Sequence, residues 1–150
     1  MGLQVYNEAK LRIASRAAGT IDLENDTLKI MLLSASYTPD LDHDFVDDVV
    51  AAELSCTGYV GGWGGAGRKT LAGNVLSKDN ANDRVVLAGT DLTWTAVNGA
   101  TVRYAVLHKP VTSDALSPVI GYLNVNPTAG ITFDGNDWKL VLTNGVLRFL

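Results

Sequence analysis

The longest run of alternating apolar and polar residues lies in the middle of the chain, from residue 91 to residue 108. Apolar side chains occupy every second position on both sides of an Asn98-Gly99 pair. A period of two places one set of side chains on a single face of a strand, and Asn-Gly is the strongest short-range signal for a tight hairpin turn. The pattern therefore predicts a long β-hairpin in which Trp94 and Tyr104 are buried neighbours.

Shorter strand patterns recur along the chain, separated by polar turns. The segment 27–34 is apolar on both faces, which is typical of a central strand. A second Asn-Gly pair, at 144–145, predicts a terminal hairpin between strands 138–143 and 146–150. Further strands are predicted at 71–76, 84–88, 119–125 and 130–133.

Two segments have apolar residues at helical spacing. Residues 7–18 predict a short helix with Asn7 as its N-cap and Gly19 as its stop. Residues 42–54 predict a second helix, which follows an aspartate that could cap it. Strands at regular intervals with one or two short helices indicate a mainly β protein, a β-sandwich or barrel, formed as a single domain over residues 1–150.

Composition excludes several classes of function. The 150 residues carry a net charge of −4, which provides no basic footprint for nucleic acid. The lone cysteine, Cys56, cannot form an internal disulfide. No signal-peptide pattern occurs at the N-terminus and no apolar run approaches the roughly 18 residues that span a bilayer, so we expect no membrane partner and synthesis in a cytoplasm. Charged residues make up 19% of the chain, which fits either a protein that buries surface in an assembly or ordinary variation.

The segment 61–67, here called the glycine loop, resembles two nucleotide-binding motifs. Residues 62–67 match G-x-G-x-x-G, and the continuation through Lys69 nearly matches the phosphate-binding loop, with Arg68 inserted. Both motifs require a helix directly afterwards, because its N-terminus binds the phosphates. The residues after Lys69 instead predict a strand that enters a turn. We therefore expect a surface loop that displays Trp63, either as a contact residue or folded over the core.

No catalytic or metal-binding constellation is evident. The acidic run 40–48 begins like a calcium-binding loop, but Phe45 replaces the required glycine and Ala51 stands where the closing glutamate belongs. Helix capping and solvated charge explain the run better. No family signature surrounds Cys56 or either histidine, and His108 is expected on the surface at a strand end. The sequence predicts no enzyme activity and no cofactor.

Eight short stretches, taken together and in order, resemble one known family. They are residues 5–10, 19–23, 36–40, 58–62, 82–84, 92–94, 104–109 and 117–120. The family consists of small structural proteins of tailed bacteriophages, encoded among head genes and described as capsid cement, decoration or head-stabilising proteins. The resemblance covers nearly the full length of the chain, with extra residues around 16–18 and 63–67.

The resemblance implies a jelly-roll-like β-sandwich on the outside of a mature phage head, bound to the major capsid protein at joints between subunits and expected to be a dimer or trimer. A protein that binds only the assembled shell stabilises it by mass action, and several weak contacts become strong together. The alternative is a tail- or fibre-associated module that binds host-surface sugars through Tyr59, Trp63 and the run 40–48. A third class of function is an enzyme that uses the glycine loop. Binding of ATP or NAD would distinguish it from the two structural roles.

Two segments are candidates for intermolecular contacts. Leu3, Val5 and Tyr6 are apolar residues at a chain end, where a lone domain gains little core from them, so residues 1–6 are a possible contact arm. Around the glycine loop, Tyr59 and Trp63 are candidate aromatic anchors. Arg68 and Lys69 beside them are expected to pair with acidic capsid residues at the rim of the interface.

Overall fold

The computed structural model of the chain describes residues 2–15, 19–142 and 147–149. In these ranges the fold is mainly β, with one α-helix, α1 (Asn7–Ala14), and three short 3₁₀ turns at Val46–Asp48, Val50–Ala52 and Asp114–Leu116. The strands are β1 (Gln4–Val5), β2 (Leu28–Leu33), β3 (Lys69–Leu71), β4 (Val75–Asp79), β5 (Arg84–Ala88), β6 (Leu92–Trp94), β7 (Asn98–Val102), β8 (Tyr104–His108), β9 (Val119–Asn124), β10 (Ile131–Asp134), β11 (Trp138–Leu140) and β12 (Leu147–Phe149).

The strands pair antiparallel into one large sheet and three small ones. The large sheet has the order β1-β9-β8-β2-β3, and the small sheets are β10-β7, β11-β6 and β12-β5-β4. Buried residues from all four sheets belong to one hydrophobic cluster. This arrangement confirms the predicted β class and is consistent with a β-sandwich, while the jelly-roll connectivity implied by the resemblance stays a prediction.

The predicted central strand is confirmed. β2 is paired with β8 on one side and with β3 on the other, and five of its six residues are buried. Its neighbour β8 is buried at all five positions. Strands that are covered on both faces need apolar residues at successive positions rather than at alternate ones, which is the pattern of residues 28–33.

The predicted central hairpin is wrong, although its strands exist. β6 pairs with β11 and β7 pairs with β10, so the two halves of the segment belong to different sheets. Gly99 adopts a φ of +85° inside β7, where Gly99 and Ala100 lie opposite Phe133 alone. The Asn-Gly pair therefore forms a β-bulge, which needs a positive φ just as a hairpin turn does.

Trp94 and Tyr104 are both buried, but they are not neighbours in one sheet as predicted. Trp94 packs against Trp138, with ring centroids 5.3 Å apart. Tyr104 packs edge-on against Tyr37 at 5.3 Å and against Tyr122 at 6.0 Å. The core thus contains two separate aromatic groups, one around Trp94 and one around Tyr104, the two residues that the predicted hairpin would have brought together.

The terminal hairpin is wrong for a similar reason. β11 pairs with β6 and β12 pairs with β5, so the two last strands join different sheets, while the turn at 144–145 lies outside the described residues. The strands on either side of the polar turn near residue 80 do form a hairpin, because β4 pairs with β5 along its full length.

One of the two predicted helices is present. α1 begins after Tyr6, which replaces Asn7 as the N-cap, and Ser15 ends it; residues 16–18 lie outside the described residues. The helix predicted at 42–54 is wrong, because the chain there makes two 3₁₀ turns and then pairs with the end of β2 through hydrogen bonds from Ser34 N to Ala52 O and from Leu54 N to Leu32 O. Asp48 accepts hydrogen bonds from two backbone N–H groups, a capping role that was expected for the acidic run.

The N-terminal segment is part of this chain's own core, so the expectation that it gains little burial there is wrong. β1 pairs with β9, and Leu3, Val5 and Tyr6 are all buried. A Cβ atom at Gly121 would collide with the Leu3 side chain, so a glycine on β9 makes the room that Leu3 fills. The Tyr6 hydroxyl lies 2.7 Å from that of Tyr37. The described part of the predicted contact arm, residues 2–6, therefore leaves little apolar surface for a partner.

Among the described residues, no helix has both the length and the apolar character that crossing a bilayer requires.

Candidate functional site

The glycine loop and its flanks bring together four of the seven predicted contact residues. Trp63 is 44% exposed and Val60 beside it is 59% exposed. Tyr59 and Arg68 are buried, and Lys69 is half-buried at the start of β3. Leu3, Val5 and Tyr6 lie elsewhere, on and next to β1. Of the predicted contact residues, Trp63 is therefore the one that presents a large apolar side chain to solvent.

Backbone hydrogen bonds hold the loop in one shape. The amide of Gly67 donates to the carbonyl of Val60 at 2.9 Å, which closes the loop at its base. The amide of Gly65 donates to Gly62 at 3.0 Å and makes a turn directly after Trp63. The buried indole of Trp94 donates from Nε1 to the carbonyl of Gly67 at 2.6 Å. The C-terminal end of the loop is therefore bonded to the buried core.

Three glycines in the loop are required by close contacts. At Gly61 a Cβ atom would lie 2.5 Å from the carbonyl oxygen of Leu54. A Cβ atom at Gly65 would overlap the carbonyl oxygens of Val60 and Gly61. A Cβ atom at Gly67 would lie 2.7 Å from the ring of Tyr59, closer than real Cβ contacts come. Gly65 and Gly67 permit tight packing of the loop on itself, which is a different use of glycine from the phosphate approach that the sequence motif suggested.

A buried ion network supports the loop. The Arg68 guanidinium bonds both oxygens of Glu53, at 2.8 and 2.7 Å, and both oxygens of Asp114, at 2.6 and 3.0 Å. The side chains of Arg68 and Glu53 are only 2% and 3% exposed. Glu53 Oε2 also accepts from the amide of Gly62 at 2.9 Å. The network thus connects the glycine loop to the 3₁₀ turn Asp114–Leu116.

Tyr59 completes the network from the core side. Its hydroxyl donates to Glu53 at 2.9 Å and accepts from the amide of Leu32 in β2 at 2.9 Å. Burial, together with the negative charge of Glu53, raises the pKa of Tyr59 above its ordinary value, so the hydroxyl keeps the proton that it donates. Burial lowers the pKa of Arg68, but its bonds to Glu53 and Asp114 outweigh that effect and the pKa is raised, so the cation persists.

The outer surface of the loop carries no charge. The residues 60–67 contain only valine, glycine, tryptophan and alanine. A rigid projection with Trp63 and Val60 at its surface can bind an apolar recess on a partner with little ordering cost, because its backbone is already fixed. Exposed aromatic anchors of this kind supply much of the energy of protein interfaces.

Arg68 is the main correction to the predicted site. The sequence predicted a rim residue that pairs with acidic groups on a partner, whereas its acidic partners are Glu53 and Asp114 of the same chain. Sequence reasoning missed both of these residues, because Glu53 stood in a predicted helix and Asp114 is 46 residues from Arg68. Two acidic residues and one arginine at such separations give no local signal.

The described residues do not form the surroundings that a phosphate-binding loop or a metal site requires. A strand, β3, follows the glycine loop directly, so the helix that both nucleotide-binding motifs require at this place is not formed. Within the ranges that the structure describes, no three His, Cys, Asp or Glu side chains gather as a metal site. Cys56 is half-buried, and burial raises the pKa of its thiol.

His108 is buried, which corrects the prediction of a surface residue. It is the last residue of β8 and is fully shielded from solvent, and no described residue makes a hydrogen bond of ordinary geometry to either ring nitrogen. Burial, and next the positive charge of Arg68, lowers the pKa of His108 to about 3. Asp114 and Lys29 are the other charged groups that act on the ring. The imidazole is therefore neutral in the folded protein at neutral pH.

We expect His108 to make the protein less stable in mild acid. The unfolded chain binds a proton at this residue near its ordinary pKa of 6.5, whereas the folded chain does so only near 3. The contribution of neutral His108 to the free energy of unfolding is therefore present above pH 6.5 and is lost as the pH falls from 6.5 towards 3. The loss is up to about 2 kcal/mol by pH 5. Urea unfolding at pH 7 and pH 5 measures the loss. A His108→Phe variant should lose less over the same interval, and equal losses would contradict this origin.

Comparison with known proteins supplies no family. No family model, no curated protein and no solved structure matches the chain.

Proposed function

We propose that this chain is a structural protein of a tailed-bacteriophage head, which binds the outside of the capsid and stabilises the joints between major capsid protein subunits. The observation that carries the proposal is the braced glycine loop, a charge-free projection with Trp63 and Val60 exposed at its surface. A second support is the resemblance of eight sequence stretches to capsid cement proteins. The chemistry of this loop suits binding rather than catalysis.

The hydrogen bonds that fix the glycine loop support its role as a contact surface. Its base is fixed by the Gly67 to Val60 hydrogen bond, and its underside by Glu53 and Arg68. A contact surface that is already ordered loses little conformational entropy on binding. On a shell, many copies of one modest contact stabilise the assembled state, since the protein binds that state and not the separate subunits.

The sugar-binding alternative is less well supported. It needs two exposed aromatic rings beside acidic groups, but Tyr59 is buried under the loop. Asp40, Asp42 and Asp48 each accept a hydrogen bond from this chain. Of the two aromatic rings proposed as sugar contacts, Trp63 is exposed and Tyr59 is not, so the geometry favours a protein contact.

The proposal is tested by binding purified chain to phage heads that lack it. We expect Trp63→Ala to remain folded and to occupy the heads at least about tenfold less at limiting protein, because it removes the aromatic anchor. Val75→Ala is the matched control, since Val75 is a 56% exposed apolar residue on β4 and not part of the loop. Wild-type occupancy by the Trp63 variant would place the contact elsewhere, and equal losses in both variants would show a non-specific effect.

A further inference from the structure

The buried ring of His108 lies where the pairing of β8 ends. The register between β8 and β9 shifts between Leu107 and His108, the last residue of β8. The residue is fully shielded from solvent, and neither ring nitrogen has a hydrogen bond of ordinary geometry to a described residue. A bulge disrupts the ladder locally. The backbone beyond His108 can therefore move without separating the rest of β8 from its neighbours.

Charged groups from three elements act on this ring. Lys29 lies opposite His108 on β2, Arg68 directly precedes β3, and Asp114 begins the 3₁₀ turn Asp114–Leu116. Lys29 and Arg68 oppose a proton on the ring, and Asp114 favours one. The other neighbours on these elements are uncharged or already paired: Val119 on β9, Lys109 with Asp26, and Glu53 and Tyr59 behind Arg68. A protonated ring therefore competes with Arg68 for Asp114.

The hydrogen bonds that tie the turn Asp114–Leu116 to the rest of the described fold come from Arg68. They reach Asp114 at 2.6 and 3.0 Å, whereas the other described hydrogen bonds of the turn stay within residues 111–117. The Asp114 side chain is 18% exposed and that of Arg68 is 2% exposed. Asp114 therefore stands on the solvent side of the ion network, and its departure admits water to Arg68 and Glu53. A hydrated ion pair holds its partners only weakly.

We propose that mild acid opens the turn Asp114–Leu116 and loosens the glycine loop, because His108 takes up a proton in the opened form. Opening hydrates the imidazole, so its positive charge is not buried beside Lys29 and Arg68. The same movement weakens the support of the loop, since Glu53 is the carboxylate that holds the amide of Gly62. The inference rests on the proposed role of the glycine loop and adds its regulation: acid weakens the capsid contact.

The size of the response follows from proton linkage. The opened form binds a proton near the ordinary His108 pKa of 6.5, whereas the closed form does so only near 3. Acid therefore favours the opened form. Between pH 7 and pH 5 the opened fraction rises by roughly 25-fold while it remains the minor form. Below pH 3 both forms are protonated, so the ratio between them stops changing.

Amide hydrogen exchange of the free protein at pH 7 and pH 5, corrected for the intrinsic effect of pH on exchange, tests the inference. In wild type, residues 60–67 and 109–117 should both exchange roughly 25-fold faster at pH 5. Both segments should exchange before β2 at either pH, because the opening is local. His108→Phe should abolish the response. His43→Phe is the matched control, since it replaces the other histidine of the chain and should leave the response intact.

Asp114→Asn tests the same opening without a change of pH. It weakens both bonds from Arg68, so residues 60–67 and 111–117 should exchange about tenfold faster already at pH 7. Asp114 is partly exposed, so this variant decides the matter even if His108→Phe does not fold. The inference is overturned if wild type shows no pH response in the glycine loop, or if a folded His108→Phe protein keeps that response. It is also overturned if Asp114→Asn leaves the glycine loop as slow to exchange as in wild type.

Binding to phage heads separates this inference from the proposed function. If wild type binds heads at pH 7 but its exchange does not depend on His108, the inference fails and the proposed function stands. If exchange depends on His108 but wild type does not bind heads, the acid-opened turn stands and the proposed function fails. When both hold, occupancy at limiting protein should fall at pH 5 for wild type and not for His108→Phe. An equal fall in both would overturn the regulatory role.

Discussion

Replacing Trp94 with alanine is expected to lower the free energy of unfolding by about 3–5 kcal/mol, the usual effect of removing a buried aromatic side chain. Trp94 is fully buried, packs against Trp138 and donates its indole hydrogen to Gly67. The substitution therefore leaves a cavity between β6 and β11 and an unpaired carbonyl at the base of the glycine loop. Since a domain of this size loses roughly 2–4 °C in Tm per kcal/mol, thermal denaturation measures the effect directly.

The matched control is Trp63→Ala, which makes the same chemical change on the exposed loop. Surface substitutions of this kind usually change stability by no more than about 0.5 kcal/mol. A Trp94→Ala protein that melts within a few degrees of wild type would contradict the assigned role of Trp94. So would an equal loss of stability in the two variants.

Arg68→Ala is expected to destabilise the protein by about 3–5 kcal/mol, because it leaves the buried Glu53 carboxylate without its counter-charge. Glu53 would keep only the hydroxyl of Tyr59 and the amide of Gly62 as donors. The loss should appear in urea unfolding at pH 7 as a lower midpoint. Arg68→Lys should fall between wild type and Arg68→Ala, because a lysine keeps the charge but not the planar fork that reaches both carboxylates.

Arg84→Ala is the control, because it removes an ion pair that is partly exposed to solvent. Arg84 pairs with Asp79 at 2.7 Å, but the two side chains are 19% and 25% exposed. Solvent-exposed pairs contribute only about 0–1 kcal/mol. If Arg68→Ala destabilises no more than Arg84→Ala does, the buried network does not brace the loop.

The sequence was informative where burial is decided locally. β2 was predicted from a run that is apolar on both faces, and β5 and β9 appear within a residue or so of their predicted ranges. The strand predicted at 71–76 is wrong in its range, because β3 ends at Leu71 and β4 begins at Val75, but a strand and not a helix follows the glycine loop as expected. In each segment the side-chain pattern itself reports which faces are covered.

The pairing of strands was not predictable from local signals. Both Asn-Gly pairs indicated hairpins, yet β6 pairs with the distant strand β11, in which Trp138 lies opposite Trp94, and β7 pairs with β10. A positive φ serves a bulge as well as a turn, so Gly99 is compatible with either arrangement. The choice depends on long-range packing, such as that of Trp94 against Trp138.

The candidate site was predicted in part. Trp63 was expected as an exposed loop residue, and glycine-rich sequence around it carried that signal. The roles of Arg68 and Tyr59 were misassigned, because their partners Glu53, Asp114 and Leu32 become neighbours only in the folded chain. The same holds for His108, whose burial at the end of β8 follows from strands on both sides.

The copy number of this chain in purified phage particles, measured by quantitative mass spectrometry, tests the central claim most directly. A protein that covers joints across the shell is expected at a molar ratio to the major capsid protein that is constant from particle to particle and of the order of one per few capsid subunits. Absence from the particle, or a ratio as low as that of the tail proteins, would contradict the account.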